Sequence, residues 1–378
     1  MTRITADWLA HPAAQTVCSL LTDAGHQAWF VGGCVRNALI GAAASDLDIT
    51  TDAHPDTVVA LARAAALKVV PTGIDHGTVT IVVDGKPFEI TTFRRDIDTD
   101  GRHATVAFAD TLEEDARRRD FTMNAIYAAP NGVLSDPLGG IADVLAGQVR
   151  FVGDPAQRIT EDYLRILRFF RFFAWYGDPD AGIDVDGLAA CAAHVDGIDG
   201  LSAERIGQEM RKLLSAADPA PAVASMAACG ALLRVLPGAT PSVLAVLVHL
   251  EQGLGLSPDP IRRLAALGGE VERLRLSKRE ATRLEALRGE TLPPAEAGYR
   301  FGAEVAIDQQ AILAATLGQD IDPKAVDSAH FGAKQSFPVK AADLMPALQG
   351  PALGDALRKA ERRWIASNFT LTRADLLM

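Results

Sequence analysis

Trp29-Phe30-Val31-Gly32-Gly33-Cys34-Val35-Arg36, and ten residues after it Asp46-Leu47-Asp48, join a phosphate cradle to a pair of carboxylates. Trp29-Phe30-Val31 is short, apolar and aromatic, so it reads as a strand. The glycine pair lets the backbone turn sharply and approach a ligand. Val35–Ile40 then reads as a short helix whose first N–H groups point at an anion. Ser45-Asp46-Leu47-Asp48-Ile49 reads as the next strand. Residues two apart on a strand share a face, so Asp46 and Asp48 are expected to point the same way. Two like charges so close call for a cation. Hard oxygen ligands beside phosphates suit Mg²⁺. The plainer alternative is a strand edge carrying two solvated aspartates.

Around this stretch the pattern predicts a helix over 14–25 closed by Gly25, and a helix from Pro55 to about residue 66. Strands are expected at 68–72, 78–83 and 88–93, with Asp84-Gly85 as a hairpin turn. Residues 94–110 are polar and read as a loop. From about residue 139 strand signals nearly vanish, and helix follows helix between Pro and Gly breaks. The fold class is therefore α+β: a small mixed-sheet head followed by an all-α remainder. The expected divisions are 1–140, 141–240 and 241–378.

The chain has 378 residues, enough for two or three domains. Hydrophobic content of 48% and charged content of 22% are those of a globular protein. No uninterrupted apolar run is long enough for a bilayer, so no membrane association is expected. The four cysteines are scattered without a CxxC pair, which signals neither zinc nor a disulfide framework and fits a cytoplasmic location. The net charge of −11 argues against a nucleic-acid partner when taken alone. Its distribution softens that argument. The acidic excess lies mostly in the first 150 residues, while residues 251–378 are balanced and hold basic stripes near Arg262–Arg288 and Arg358–Arg363.

Two further constellations carry chemistry. Arg117-Arg118-Arg119-Asp120-Phe121-Thr122-Met123-Asn124 puts three arginines at a helix end. They either grip a triphosphate or form a solvated charge cluster. In Glu161-Asp162-Tyr163-Leu164-Arg165-Ile166-Leu167-Arg168-Phe169-Phe170-Arg171, Asp162, Arg165, Arg168 and Arg171 recur every three residues among apolar neighbours. On one helix this is a slowly turning stripe. It can read a nucleobase edge and bind phosphate, or serve as an ordinary salt-bridge ladder. Glu89, on the strand ending at Phe93, is either a third carboxylate aimed at the aspartates or an exposed strand residue.

These motifs, in this order, resemble the class II tRNA nucleotidyltransferase and bacterial poly(A) polymerase family, within the polymerase-beta-like nucleotidyltransferases. The resemblance runs from about Phe30 to Phe172 and continues more weakly through Leu201–Ile206. Asn37 departs from the Asp usual after the arginine. The resemblance implies a nucleotidyltransferase head and a helical neck, body and tail. It implies that Asp46 and Asp48 are catalytic and hold Mg²⁺. Gly33, Arg36, Arg119, Asp162, Arg165, Arg168 and Arg171 would bind nucleotide, with Asp162 and Arg165 reading the base edge. The reaction implied is addition of CCA to tRNA from CTP and ATP. Rival readings are a poly(A) polymerase, a partial CC- or A-adding enzyme, a small-molecule nucleotidyltransferase, and a non-catalytic RNA-binding protein. The uninterrupted 94–110 segment and the neutral carboxy-terminal region favour CCA addition. Oligomeric state is not legible.

Overall fold

The computed structural model describes residues 2–43, 46–70, 73–74, 77–100, 103–345 and 347–378. Ser45, Asp75-His76 and Gly101-Arg102 lie outside the described residues. The chain packs as two units, Met1–Pro237 and Gly238–Met378. The boundary expected at residue 140 falls inside the first unit.

The first unit opens with α1 (Pro12–Thr22), which buries Ala13, Ala14, Val17, Cys18 and Leu21. β1 (Trp29–Val31) leads through Gly32 into α2 (Gly33–Leu39). β2 (Asp48–Thr51), α3 (Pro55–Ala64), β3 (Lys68–Val70), β4 (Thr78–Val83) and β5 (Lys86–Thr92) follow. β6 (Arg94–Asp100) and β7 (His103–Phe108) come next, then α4 (Leu112–Arg117), β8 (Tyr127–Ala128), β9 (Leu134–Ser135) and α5 (Gly140–Leu145). Seven strands form one sheet in the order β3-β4-β5-β2-β1-β8-β9. Among the described residues β2 and β5 pair in parallel and the other pairs are antiparallel, so the sheet is mixed. One row crosses the sheet: Glu89 on β5 opposes Asp48 on β2, Asp48 opposes Val31 on β1, and Val31 opposes Tyr127 on β8.

Two expectations are corrected here. The strand expected from Ser45 begins only at Asp48, where pairing with Val31 and Glu89 begins. Asp46 therefore precedes the strand, and the alternation argument does not apply to it. Residues 94–110 are not a loop: β6 and β7 form a separate two-stranded hairpin in which Asp100 pairs with His103. The aspartates at 96, 98 and 100 depress strand propensity and hid it. The Asp100-Gly101 hairpin signal was present, as it was at Asp84-Gly85.

The helical part of the first unit comprises α6 (Pro155–Glu161), α7 (Leu164–Tyr176), α8 (Val185–Ala193), α9 (Ala203–Leu214), α10 (Ala220–Ala228) and α11 (Ala231–Val235). α7 forms because Leu164, Ile166, Leu167, Phe169, Phe170, Phe172 and Phe173 line a broad apolar face, all of it buried. Phe121, from the segment after α4, inserts its ring between Phe151 and Phe172, each 5.0 Å away between centroids. The sheet-bearing part and the helical part thus share one core, which sets where the α7 arginines stand.

Among the described residues the second unit is helical apart from one isolated bridge between Ala239 and Gly268: α12 (Ser242–Gly253), α13 (Pro260–Leu267), α14 (Lys278–Arg288), α15 (Pro294–Phe301), α16 (Ala303–Leu317), α17 (Pro323–Ala333), α18 (Ala341–Leu344), α19 (Gly350–Ala366) and α20 (Arg373–Leu377). A buried ion-pair network ties α12, α13 and α16. Arg262 donates to Glu251 at 2.7 Å and to Asp308 at 2.8 Å, and Arg263 donates to Glu251 at 2.7 Å. Arg283 adds a bond to Asp308 at 2.6 Å, and Arg288 donates to the carbonyls of Leu264, Gly268 and Gly269. Of the Arg262–Arg288 stripe expected to face RNA, Arg262, Arg263, Arg283 and Arg288 are thus spent on bonds within the unit, while Arg275, Lys278 and Arg279 are exposed. On α19 the contrast is plain: Arg358, Lys359, Arg362 and Arg363 are exposed, while Trp364 packs into Tyr299, Phe337 and Phe369.

α15 and α17 cross at backbone contact. A Cβ on Gly298 would stand 2.1 Å from the Ala329 carbonyl oxygen, and one on Gly332 would stand 1.8 Å from that of Ala295. Neither neighbour is a flexible side-chain end, so the helices must part. Gly332→Ala is expected to destabilise the second unit by about 1–3 kcal/mol. Gly354→Ala on α19, where the nearest atom is the Arg358 guanidinium at 3.4 Å, is expected to stabilise by about 0.5–1 kcal/mol. Urea unfolding of the two variants checks the contrast; equal midpoints would show that the crossing is slack.

Candidate active site

The cradle is built at the β1–α2 junction. Gly32 caps α2 with φ 75° and ψ −125°, a region that side chains disfavour. Gly33 is the first residue of the helix. Arg119 Nη1 lies 3.8 Å from the point where a Cβ on Gly32 would stand, so a guanidinium overlooks the turn. Cys34, inside the cradle, is fully buried and donates to the Val31 carbonyl. Burial, with Asp48 adding to it, pushes its thiol up to about 11, so it is no nucleophile at neutral pH.

Asp48 starts β2 beside the cradle strand. Burial of its carboxyl pushes its pKa up to about 6; Glu89 and Asp46 add to the rise, and Arg119 opposes it. Desolvation thus acts on Asp48 together with two nearby carboxylates and one guanidinium. Glu89 is the direct strand neighbour of Asp48, and it is exposed. Among the described residues, no three His, Cys, Asp or Glu side chains converge tightly enough to hold a metal by themselves.

The arginine triplet splits. Arg117 is exposed at the end of α4. Arg118 and Arg119 fold back onto the buried Asp115, Arg118 Nε to Oδ1 at 3.0 Å and Arg119 Nη2 to Oδ2 at 2.9 Å. Burial would raise the Asp115 pKa, but the two arginines outweigh it and hold the carboxyl well below its usual range. Asp115 was not singled out in the sequence, although its i,i+3 and i,i+4 spacing to Arg118 and Arg119 was legible.

Arg36 is buried. Its Nη1 donates to Asn124 at 2.5 Å, and its Nη2 donates to Asn37 at 3.1 Å and Tyr176 at 2.7 Å. The guanidinium stacks 3.8 Å from the Tyr176 ring centroid. It thus joins α2 to the end of α7. Asn37 accepts from Arg36 and donates to the Ala43 carbonyl at 2.7 Å, so the joint holds without the charge of an aspartate.

Asp120 links the triplet to α7. Arg168 Nε donates to its Oδ2 at 2.8 Å, Asn124 Nδ2 to its Oδ1 at 2.8 Å, and the Phe121 N–H to Oδ1 at 2.9 Å. Burial alone would raise its pKa; these donors, Arg168 foremost, hold it at about 2. Arg171 Nε donates to Glu209 on α9 at 2.5 Å and stacks 4.4 Å from the Phe172 centroid.

The stripe itself needs a correction. Asp162 is not on the helix that carries the arginines; it ends α6 in an extended conformation, and α7 starts at Leu164. Its carboxylate accepts from the Leu164 N–H at 3.1 Å and from Arg205 on α9 at 2.6 Å. Arg165 pairs with Glu161 and donates to the Arg158 carbonyl at 2.6 Å. Arg205 and Glu209 are the partners the sequence reading missed; they sit four apart on α9, just past Ser202, which caps that helix.

Known proteins share this arrangement. Residues 28–150 match the poly A polymerase head domain, and residues 182–242 match the probable RNA and SrmB-binding site of polymerase A. The mitochondrial CCA tRNA nucleotidyltransferase 1 of Mus musculus is 39% identical over 202 residues, 53% of this chain and 46% of the relative. The CCA-adding enzyme of Geobacillus thermodenitrificans is 40% identical over 216 residues, 57% of this chain and 52% of the relative. The chain spans about half the length of the curated relatives it matches. The crystal structure of the Bacillus stearothermophilus CCA-adding enzyme in complex with CTP shares the fold with a TM-score of 0.72 at 27% identity, over 94% of this chain and 93% of that one. The chain thus carries, in order, matches to a poly A polymerase head domain and to the probable RNA-binding site of polymerase A, on a fold shared along nearly its whole length with a CCA-adding enzyme.

Proposed function

We propose that this chain adds CCA to the 3′ ends of tRNA, using CTP and ATP and releasing pyrophosphate. The observation that carries the reading is the placement of Asp48 and Arg119 at the Gly32 turn: a carboxylate beginning the strand next to the cradle strand, and a guanidinium that overlooks the backbone turn. The similarity to CCA-adding enzymes supports the choice of reaction.

Asp46 and Asp48 would hold a divalent cation, and their hard oxygens and excess negative charge fit Mg²⁺. With no third described ligand close by, phosphate oxygens and water would complete the coordination. The cation, when bound, lowers the pKa of the attacking hydroxyl and stabilises charge on the phosphate. The chain's own residues do the rest. The Gly32–Gly33 backbone admits the triphosphate closely, and Arg119 neutralises it. Asp162 accepts from the exocyclic amine of cytosine or adenine, and Arg165 donates to the adjacent ring nitrogen. Uracil and guanine present a carbonyl where Asp162 needs a donor and are rejected. The RNA 3′ oxygen forms its bond to the α-phosphorus, the bond to the pyrophosphate oxygen breaks, and the hydroxyl proton passes to water. Arg36 and Arg168 position these groups by fixing α7 against the head, and Arg171 by fixing it against α9.

Full CCA addition is preferred to partial or poly(A) addition because β6 (Arg94–Asp100) and β7 (His103–Phe108) pair along their length and residues 251–378 carry no basic excess. A cytoplasmic setting fits the four unpaired cysteines. Among the described residues, no helix is long and apolar enough to cross a membrane.

The deciding experiment incubates purified protein with tRNA lacking its 3′ end, giving each NTP alone and in pairs. CTP alone should add two residues, and CTP with ATP three. Asp46→Asn and Asp48→Asn should each abolish addition with the thermal unfolding midpoint retained; near-normal turnover with Mg²⁺ in either variant refutes the metal assignment. Asp162→Ala should relax discrimination against UTP and GTP by about 1–3 kcal/mol, read as the ratio of kcat/KM values. Unchanged selectivity moves base reading elsewhere. Charge reversal of Arg358, Arg362 and Arg363 to Glu should raise the KM for tRNA and leave that for CTP alone; equal tRNA affinity would make α19 purely structural.

A further inference from the structure

Arg119 presents one edge of its guanidinium to the protein and leaves the other for the cradle. Its Nη2 and Nε donate to Asp115 Oδ2 at 2.9 and 3.3 Å, and Nε also donates to the Tyr127 hydroxyl at 3.1 Å. That hydroxyl donates in turn to the same Asp115 oxygen at 2.9 Å. Nη1, the nitrogen not engaged in these bonds, is the one that overlooks Gly32. Tyr127 and Asp115 are both completely buried. Tyr127 is also the strand partner of Val31, whose other partner is Asp48. The residue that touches the Arg119 edge therefore hangs from the same row of the sheet as the metal-ready carboxylate.

We infer that Tyr127, together with Asp115, is a positioning residue that registers the Arg119 guanidinium against Asp48, so that its Nη1 edge meets the triphosphate of the incoming nucleotide. This rests on the reading of Arg119 as a triphosphate ligand. Without the Tyr127 hydroxyl, Nε loses an acceptor and Asp115 loses a donor, so the guanidinium can rotate about the remaining pair. A role confined to the core would need only the aromatic ring, which packs with Val31, Phe93, Leu112 and Ala116.

Tyr127→Phe keeps the ring and deletes the hydroxyl. Equilibrium titration of the full chain with CTP, CMP and inorganic tripolyphosphate, each with Mg²⁺, reads the difference. Expected is an about three- to tenfold loss for CTP and tripolyphosphate, from one hydrogen bond, with CMP affinity and the thermal midpoint close to wild type. Asp115→Asn, which keeps the shape and removes the charge, should lose more on the same ligands; it carries the test if Tyr127→Phe loses its folded baseline. The inference is overturned if Tyr127→Phe binds CTP like wild type, or loses CTP and CMP equally. Arg119→Ala separates the two claims. If it weakens CTP selectively while Tyr127→Phe does not, only the positioning role falls. If it leaves CTP binding intact, the triphosphate assignment falls and this inference with it.

Discussion

One largely buried carboxylate, Asp120, holds the sheet-bearing head and the arginine-bearing helix in a single register. It takes two nitrogens of Arg168 from α7, and on its other oxygen the side chain of Asn124, which in turn receives Arg36 from the cradle helix. Arg36 closes the loop by stacking on Tyr176, twelve residues along from Leu164 at the far end of α7. The helix is thus pinned near its middle and at its end. A buried ion pair adds little against an apolar substitute, yet removing one partner costs about 3–5 kcal/mol because a charge is stranded. That asymmetry suits a joint whose purpose is geometry: α7 has one position in which its charges are met, and few alternatives near it.

The same logic recurs across the sheet. Glu89, Asp48, Val31 and Tyr127 form one row across four strands. Repulsion accumulates at one end of that row, where Glu89 and Asp46 raise Asp48. At the other end Tyr127 and Asp115 fix a guanidinium. Between them the chain turns at Gly32. Strand register, set by pairs a few ångströms apart, therefore holds opposite charges at a separation that side-chain flexibility alone would blur. The triphosphate and cation proposed for this site would meet complementary charge on both sides of one backbone turn.

Much of this was legible. The aromatic strand, the glycine turn and the carboxylate pair were visible because each departs from ordinary composition in a way with one cheap physical explanation. The helical remainder followed from periodicity. What escaped was of two kinds. The hairpin at 94–108 was hidden by aspartates that disfavour strands, although its turn signal was present. The partners of the site escaped because they are distant in sequence. Arg205 meets Asp162 across forty-three positions, and Asp120 meets Arg168 across forty-eight. The spacing from Asp162 to Arg171 suggested one continuous helix, but the chain breaks at Asp162, whose side chain caps the next helix by accepting from Leu164. A local pattern shows which residues share a face only while the helix lasts.

The acidic balance of the chain also becomes intelligible. A net charge of −11 suggested poor affinity for a polyanion. Yet the arginines divide sharply by use. Arg262, Arg263 and Arg283 neutralise Glu251 and Asp308 inside the second unit, and Arg118, Arg168 and Arg171 do the same for Asp115, Asp120 and Glu209 in the first. These charges shape the fold and contribute nothing to a distant field. Other cations stay at the surface, grouped on α19 and scattered elsewhere, as at Arg275, Lys278 and Arg279. Long-range attraction for a polyanion therefore depends on those surface groups, while the paired arginines serve the geometry around the cradle.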